Sequence, residues 1–287
     1  MKRHCKDILE ESWRDGKFTG VSLDSEYGRI KSNRNNAGDS VAQRLLRFNA
    51  SIIDSTSGVA CAYKLNLGHY LEQGSEGIRG LKDTIDYAHK FAPRSAIILD
   101  FKCGDIATST EMYMRAAFDN FRVDGVTLNA YPGLAASDSF TKRMPDKCFF
   151  FVTAMSNEGA SEFQDINVSL GSGAHNHIMP LYQYIAMRVG RTHAVRRNCC
   201  VVVSARHIEK VRAVRNLVGD MAMLLPGLGT QSESIDQEKL VGNVVSVAQD
   251  YRGKGMIFPI GRDIIFAQNP SERASFWHDR IRAAIRK

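Results

Sequence analysis

Asp100 and Lys102 stand two residues apart in an apolar run, and they are the first feature of this sequence that could do chemistry. Side chains alternate along a strand, so the pair points the same way, and Lys64 in a neighbouring strand-like run adds a second ammonium beside them. Such a row of alternating charge can stabilise a developing anion and deliver a proton to it. Asp24, Asn66, Ser156 and Asn157 also stand at the ends of apolar runs. A second signal lies in Gly227-Leu228-Gly229-Thr230-Gln231 and in Gly261-Arg262. Glycines let backbone N–H groups approach an anion, and an arginine can grip a phosphate through two hydrogen bonds. The same glycines could merely turn the chain and Arg262 could be a solvated surface residue. Their place after the last two strands favours phosphate, because barrels often bind phosphate with these loops.

The elements that must position these residues form a regular series. Eight short apolar runs read as strands: Phe18 to Asp24, Val59 to Leu65, Ala96 to Phe101, Gly125 to Asn129, Cys148 to Met155, Cys199 to Ala205, Met221 to Pro226 and Met256 to Ile260. Most are apolar on both faces, as a buried parallel sheet requires. Helical periodicity fills the gaps, at Glu76 to Phe91, Ser109 to Phe121, Ile208 to Leu217 and Pro270 to Arg286. In the last of these, Ala274, Trp277, Ile281 and Ile285 make one stripe, with arginines around it. Eight strands alternating with helices predict an α/β fold, a single (β/α)8 TIM barrel with its active site at the C-terminal ends of the strands.

The length of 287 residues suits one large barrel or two smaller domains. Since no Pro/Ser-rich linker or internal repeat divides the chain, a single domain over 1–287 is expected. With 44% hydrophobic and 24% charged residues the chain can bury a large core, which excludes general disorder. No apolar run approaches the roughly 18 residues of a membrane span. The N-terminus has no apolar signal region, so a cytoplasmic protein with reduced core thiols at its six cysteines is expected. The net charge of +7 is compatible with a nucleic-acid surface or with an anionic substrate. The Gly-, Ser- and Asn-rich stretch Asp165 to His177 is the candidate functional loop or lid. Asp54, Asp124 and Glu158 read as helix-end or surface charges.

Leu99-Asp100-Phe101-Lys102-Cys103-Gly104-Asp105-Ile106 resembles the Asp-x-Lys-x-x-Asp signature of the orotidine 5′-monophosphate decarboxylase family. The blocks Val21 to Asp24, Cys61 to Asn66, Ala154 to Ala160, Leu225 to Gln231 and Ile260 to Arg262 are similar to that family's blocks and in its order, so the resemblance covers about residues 18–274. The Tyr63-Lys64-Leu65-Asn66 and Pro226 to Gln231 blocks resemble its longer subfamily.

The resemblance implies decarboxylation of orotidine monophosphate to uridine monophosphate without a cofactor or metal, the last step of de novo pyrimidine synthesis. It implies a charged tetrad of Lys64, Asp100, Lys102 and Asp105, the last reaching into the partner's site in a homodimer together with Ile106 and Ser109. Asp24 and Asn66 would hold ribose hydroxyls, Ser156 the pyrimidine, and Gln231, Gly261 and Arg262 the phosphate. The chain departs from the pattern at Ser109, where Thr is usual, at Cys103, where Arg is frequent, and at Ser232-Glu233-Ser234, where Gly-Gly-Asp is commoner. Gly68-His69 also replaces an apolar pair.

Two rival readings are set aside. Magnesium-dependent sugar-phosphate decarboxylases and hexulose-phosphate synthases share the Asp-x-Lys-x-x-Asp signature, but Lys64, Ser156 and Gln231 favour the pyrimidine branch. The basic run from Arg188 to Arg215 could bind nucleic acid, yet its helical spacing suits a solvated face and no aromatic platform interleaves it. His175-Asn176-His177 lacks further ligands at metal-binding spacing.

Overall fold

The computed structural model describes residues 3–30, 38–171, 177–229 and 237–285, with side chains from residue 239 onward in the last segment. The described residues form ten strands, in chain order: β1 (Thr19–Ser22), β2 (Ala60–Asn66), β3 (Ala96–Cys103), β4 (Gly125–Leu128), β5 (Cys148–Ala154), β6 (Asn167–Leu170), β7 (His177–Pro180), β8 (Cys199–Val203), β9 (Met223–Leu224) and β10 (Met256–Ile260). Eight of them close a parallel barrel in the order β1-β2-β3-β4-β5-β8-β9-β10, with β10 returning to β1. These are the eight runs read from the sequence. They stay in the barrel because runs such as Cys199–Val203 and Met256–Ile260 are buried along their whole length, which only a two-sided apolar environment accommodates.

The stretch expected to be a structureless loop differs. β6 and β7 form an antiparallel ribbon outside the barrel, pairing Asn167 with Pro180 and Leu170 with His177. The alternation in Asn167-Val168-Ser169-Leu170, half-buried at Val168 and Leu170 and exposed between them, is the period of a one-faced strand. His175 and Asn176 lie outside the described residues.

The barrel floor is closed by the helix Cys5–Arg14, which buries Cys5, Leu9 and Trp13 and donates from Trp13 Nε1 to Met256 O at 2.7 Å. Two charge readings are corrected here. Asp124 is fully buried rather than superficial, and it accepts from Arg3 at 2.7 Å and from the Ile97 backbone N–H at 2.9 Å. Burying that carboxylate is tolerable because each oxygen has a donor. Arg215 likewise leaves the expected solvated face: it is buried and donates to the carbonyls of Ala248, Gly219, Met221 and Gly255. Burial lowers its pKa to about 10. All six cysteines are buried and free.

Candidate active site

β3 carries the central pair, and its local geometry is irregular. Opposite β4, Leu99 pairs with Val126 but Cys103 pairs with Leu128, so β3 spends two extra residues across Asp100-Phe101-Lys102. Such a bulge re-aims side chains. Lys102 takes φ +44°, a left-handed conformation uncommon for a residue with a side chain and a form of strain found at functional sites. The result is that both Asp100 and Lys102 reach the barrel mouth.

Lys64 from β2 lies between two carboxylates. Its Nζ is 3.0 Å from Asp24 Oδ1 and 3.0 Å from Asp100 Oδ2. Lys102 Nζ is 2.6 Å from the other oxygen, Asp100 Oδ1. The chain of charge therefore runs Asp24, Lys64, Asp100, Lys102. Burial alone would raise the Asp100 pKa, yet the Lys64 and Lys102 ammoniums and the hydrogen bonds to it hold the carboxyl well below its usual range. Burial would lower Lys64, but Asp24 and Asp100 outweigh it and hold the ammonium above its usual value. Both groups are consequently charged across the physiological range.

This array lines a cavity of about 520 Å³ together with Asn66, Ser156, Gly261 and Arg262. In the loop after β9, Gly227 and Gly229 adopt φ +122° and +86°, conformations that L side chains rarely take. A Cβ on Gly229 would also lie 3.0 Å from Asp263 Cβ. Arg262 opens a short helix, Arg262–Ile265, and the adjacent Asp263 is anchored by Arg273 at 2.7 Å and by Trp277 Nε1 at 2.6 Å. Among the described residues no carboxylate pairs with Arg262, so its guanidinium is available to an anion.

Of the twelve residues given catalytic or substrate roles from the resemblance, eight share one cavity: Asp24, Lys64, Asn66, Asp100, Lys102, Ser156, Gly261 and Arg262. Asp105, Ile106 and Ser109 are not among the residues lining it. They lie on the turn and helix after β3, where the Asp105 carboxylate accepts from the Ile106 N–H at 2.6 Å and Ile106 is 69% exposed. Gln231 lies outside the described residues. The sequence reading missed Thr127, His69, Ser204, Arg206 and Asp263, all of which line the cavity. Thr127 carried a signal, as the one polar side chain inside the apolar run Val126 to Leu128. Arg206 was hidden by the basic run to which it belongs.

The sequence pattern of the "Orotidine 5'-phosphate decarboxylase / HUMPS family" matches residues 46–275. The chain belongs to this family. An orotidine 5′-phosphate decarboxylase from Cellvibrio japonicus is 32% identical over 232 residues, 81% of this chain and 79% of the relative. The Leishmania donovani OMP decarboxylase superposes with a TM-score of 0.81 at 24% identity over 98% of both chains, a likeness of fold. The Leishmania donovani UMP synthase superposes with a TM-score of 0.82 at 25% identity, over 99% of this chain and 56% of that one. The charged row, Gly261 and Arg262 line one cavity at the C-terminal face of the barrel.

Proposed function

We propose that this chain decarboxylates orotidine 5′-monophosphate to uridine 5′-monophosphate, acting in the cytoplasm in pyrimidine synthesis. The observation that carries the reading is the Asp24-Lys64-Asp100-Lys102 row lining a single cavity together with Gly261 and Arg262. Arg262, Gly261 and Gln231 take the phosphate. Asp24 and Asn66 hold ribose hydroxyls, the Nδ2 of Asn66 being available because its Oδ1 accepts from the Gly68 N–H at 3.0 Å. Ser156 hydrogen-bonds the pyrimidine.

The C6–carboxylate bond breaks, the electron pair stays on C6, carbon dioxide leaves, and Lys102 gives C6 a proton. Its ammonium first stabilises the carbanion that it then protonates. Asp100 beside the substrate carboxylate adds repulsion that vanishes as carbon dioxide departs. At ~4 Å and an effective dielectric near ~20 that is of order 4 kcal/mol. Enzymes of this kind lower barriers by roughly 8 to 23 kcal/mol, so charge stabilisation and phosphate binding remote from C6 must supply the larger share.

A homodimer completes the site. Asp105, Ile106 and Ser109 lie outside their own cavity, and the apolar surface around them includes Ile106 at 69%, Met112 at 57% and Tyr131 at 88% exposure. That surface suits a second copy, whose cavity receives Asp105 to complete the tetrad with Lys64, Asp100 and Lys102.

The magnesium-dependent alternative is disfavoured by Lys64, whose ammonium sits between Asp24 and Asp100 where a cation would need both carboxylates. The test follows orotidine monophosphate absorbance with a chelator present. The wild type is expected to turn over and folded Lys102→Ala to lose activity. An inactive, well-folded wild type overturns the reading, and magnesium-dependent turnover of a sugar phosphate in its place favours the alternative.

A further inference from the structure

The bulge in β3 takes the Lys102 N–H out of the regular ladder, which resumes where the Asn129 N–H donates to Cys103 O at 2.8 Å. A partly buried N–H needs an acceptor. Lys102 N donates instead to the side chain of Thr127, at 3.0 Å to Oγ1. The Thr127 hydroxyl in turn donates to Asp100 Oδ1 at 2.8 Å. One hydroxyl thereby joins the backbone of one charged residue to the carboxylate of the other. Thr127 is 1% exposed and lies on β4, so its position is fixed by the sheet itself.

The Asp100 carboxylate receives three side-chain donors from three strands: Lys64 Nζ on Oδ2, and Lys102 Nζ and Thr127 Oγ1 on Oδ1. The ammoniums end flexible stems that can follow a moving carboxylate. Thr127 ends a short, β-branched side chain and cannot.

We propose that Thr127 is a positioning residue for the decarboxylation proposed above: its hydroxyl sets the plane of the Asp100 carboxylate and holds the bulged backbone from which Lys102 reaches the substrate. Thr127 touches neither reacting atom in this role and acts through both charged groups. A misplacement of about 1 Å in such an array costs on the order of 100-fold in rate, whereas the phosphate contacts at Gly261 and Arg262 are left intact.

The test compares Thr127→Val, nearly the same shape without the hydroxyl, with Thr127→Ser, which keeps it. Steady-state kinetics with orotidine monophosphate are paired with the crystal structure of each variant. Thr127→Val is expected to lower kcat by roughly 10- to 100-fold with KM within about twofold, and Thr127→Ser to recover most of that loss. The Thr127→Val structure is expected to show the Lys102 backbone or the Asp100 plane moved. Wild-type kcat in Thr127→Val, or equal damage in both variants, overturns the proposal. Failure of the underlying reaction is distinguishable: the wild type is then inactive, and an unchanged Lys102 and Asp100 geometry in Thr127→Val still counts against the positioning role.

Discussion

Asp100 and Lys64 illustrate how each charge in the site depends on its neighbour. Asp100 is depressed below its ordinary value, so its stabilising contribution is present above the usual carboxylate range and is lost only as pH falls through the lower folded value. Lys64 is raised, so its contribution is present below the usual ammonium range and is lost as pH climbs beyond it. Neither titrates near neutrality. Acid sensitivity nearer neutrality comes from His193, on the helix Leu181–Arg196. Burial, then the Arg197 charge, lowers its pKa from 6.5 to about 4. The unfolded chain binds the proton first, so stability is full above about 6.5 and falls as pH drops toward 4. The loss is on the order of 2–3 kcal/mol. Urea unfolding of wild type and His193→Gln at pH 7 and pH 4.5 checks this: the difference between the two pH values is expected to shrink by about that amount in the variant.

At the scale of elements, the end of β1 that carries Asp24 is held by a buried polar network. Tyr70 donates to Leu23 O at 2.9 Å, Asn49 Nδ2 donates to Tyr70 Oη at 3.1 Å and to Thr84 Oγ1 at 3.0 Å, and Ser25 donates to Asn49 Oδ1 at 2.6 Å. The network ties the helix Val41–Thr56 and the helix Gly74–Phe91 to the strand end. Every side chain in it is fully buried, so a displaced member leaves partners unsatisfied. Gly77 is its tightest steric point: a Cβ there would lie 1.8 Å from Tyr70 O. Gly77→Ala is expected to destabilise the fold by about 1–3 kcal/mol and, by shifting Tyr70, to raise KM for the nucleotide several-fold. A denaturation midpoint and a KM measurement check the two parts. A wild-type KM in a folded variant would separate Asp24 from this network. The strands themselves were legible in the sequence because runs such as Ala96-Ile97-Ile98-Leu99 are apolar on both faces. The ribbon of β6 and β7 was not, since each of its strands has only four residues in which to show an alternation.

For the whole molecule, the proposed sharing of Asp105 between subunits would make activity a property of two chains. If Asp105 serves the partner's cavity, mixing inactive Lys102→Ala with inactive Asp105→Ala creates heterodimers holding one site with neither substitution. About a quarter of wild-type activity is expected from random mixing of such subunits, measured after the two are refolded together. Activity that stays at the level of the separate variants would mean each cavity is self-sufficient. The net charge of +7 also has a use at this scale, because a net positive molecule attracts an anionic nucleotide and speeds their encounter.

The sequence by itself determined the periodicities that make strands and helices, and with them the closed barrel whose strand ends collect Asp24, Lys64, Asn66, Asp100, Lys102, Ser156 and Arg262. Those signals are local, since each depends on a residue's own type and on neighbours a few positions away. Only the tertiary structure decided that Thr127 clasps Asp100, that Asp124 and Arg215 are buried, and that Arg206 is among the residues lining the cavity. Each of those outcomes rests on contacts between residues far apart in the chain, where burial and a donor's reach depend on how the barrel closes.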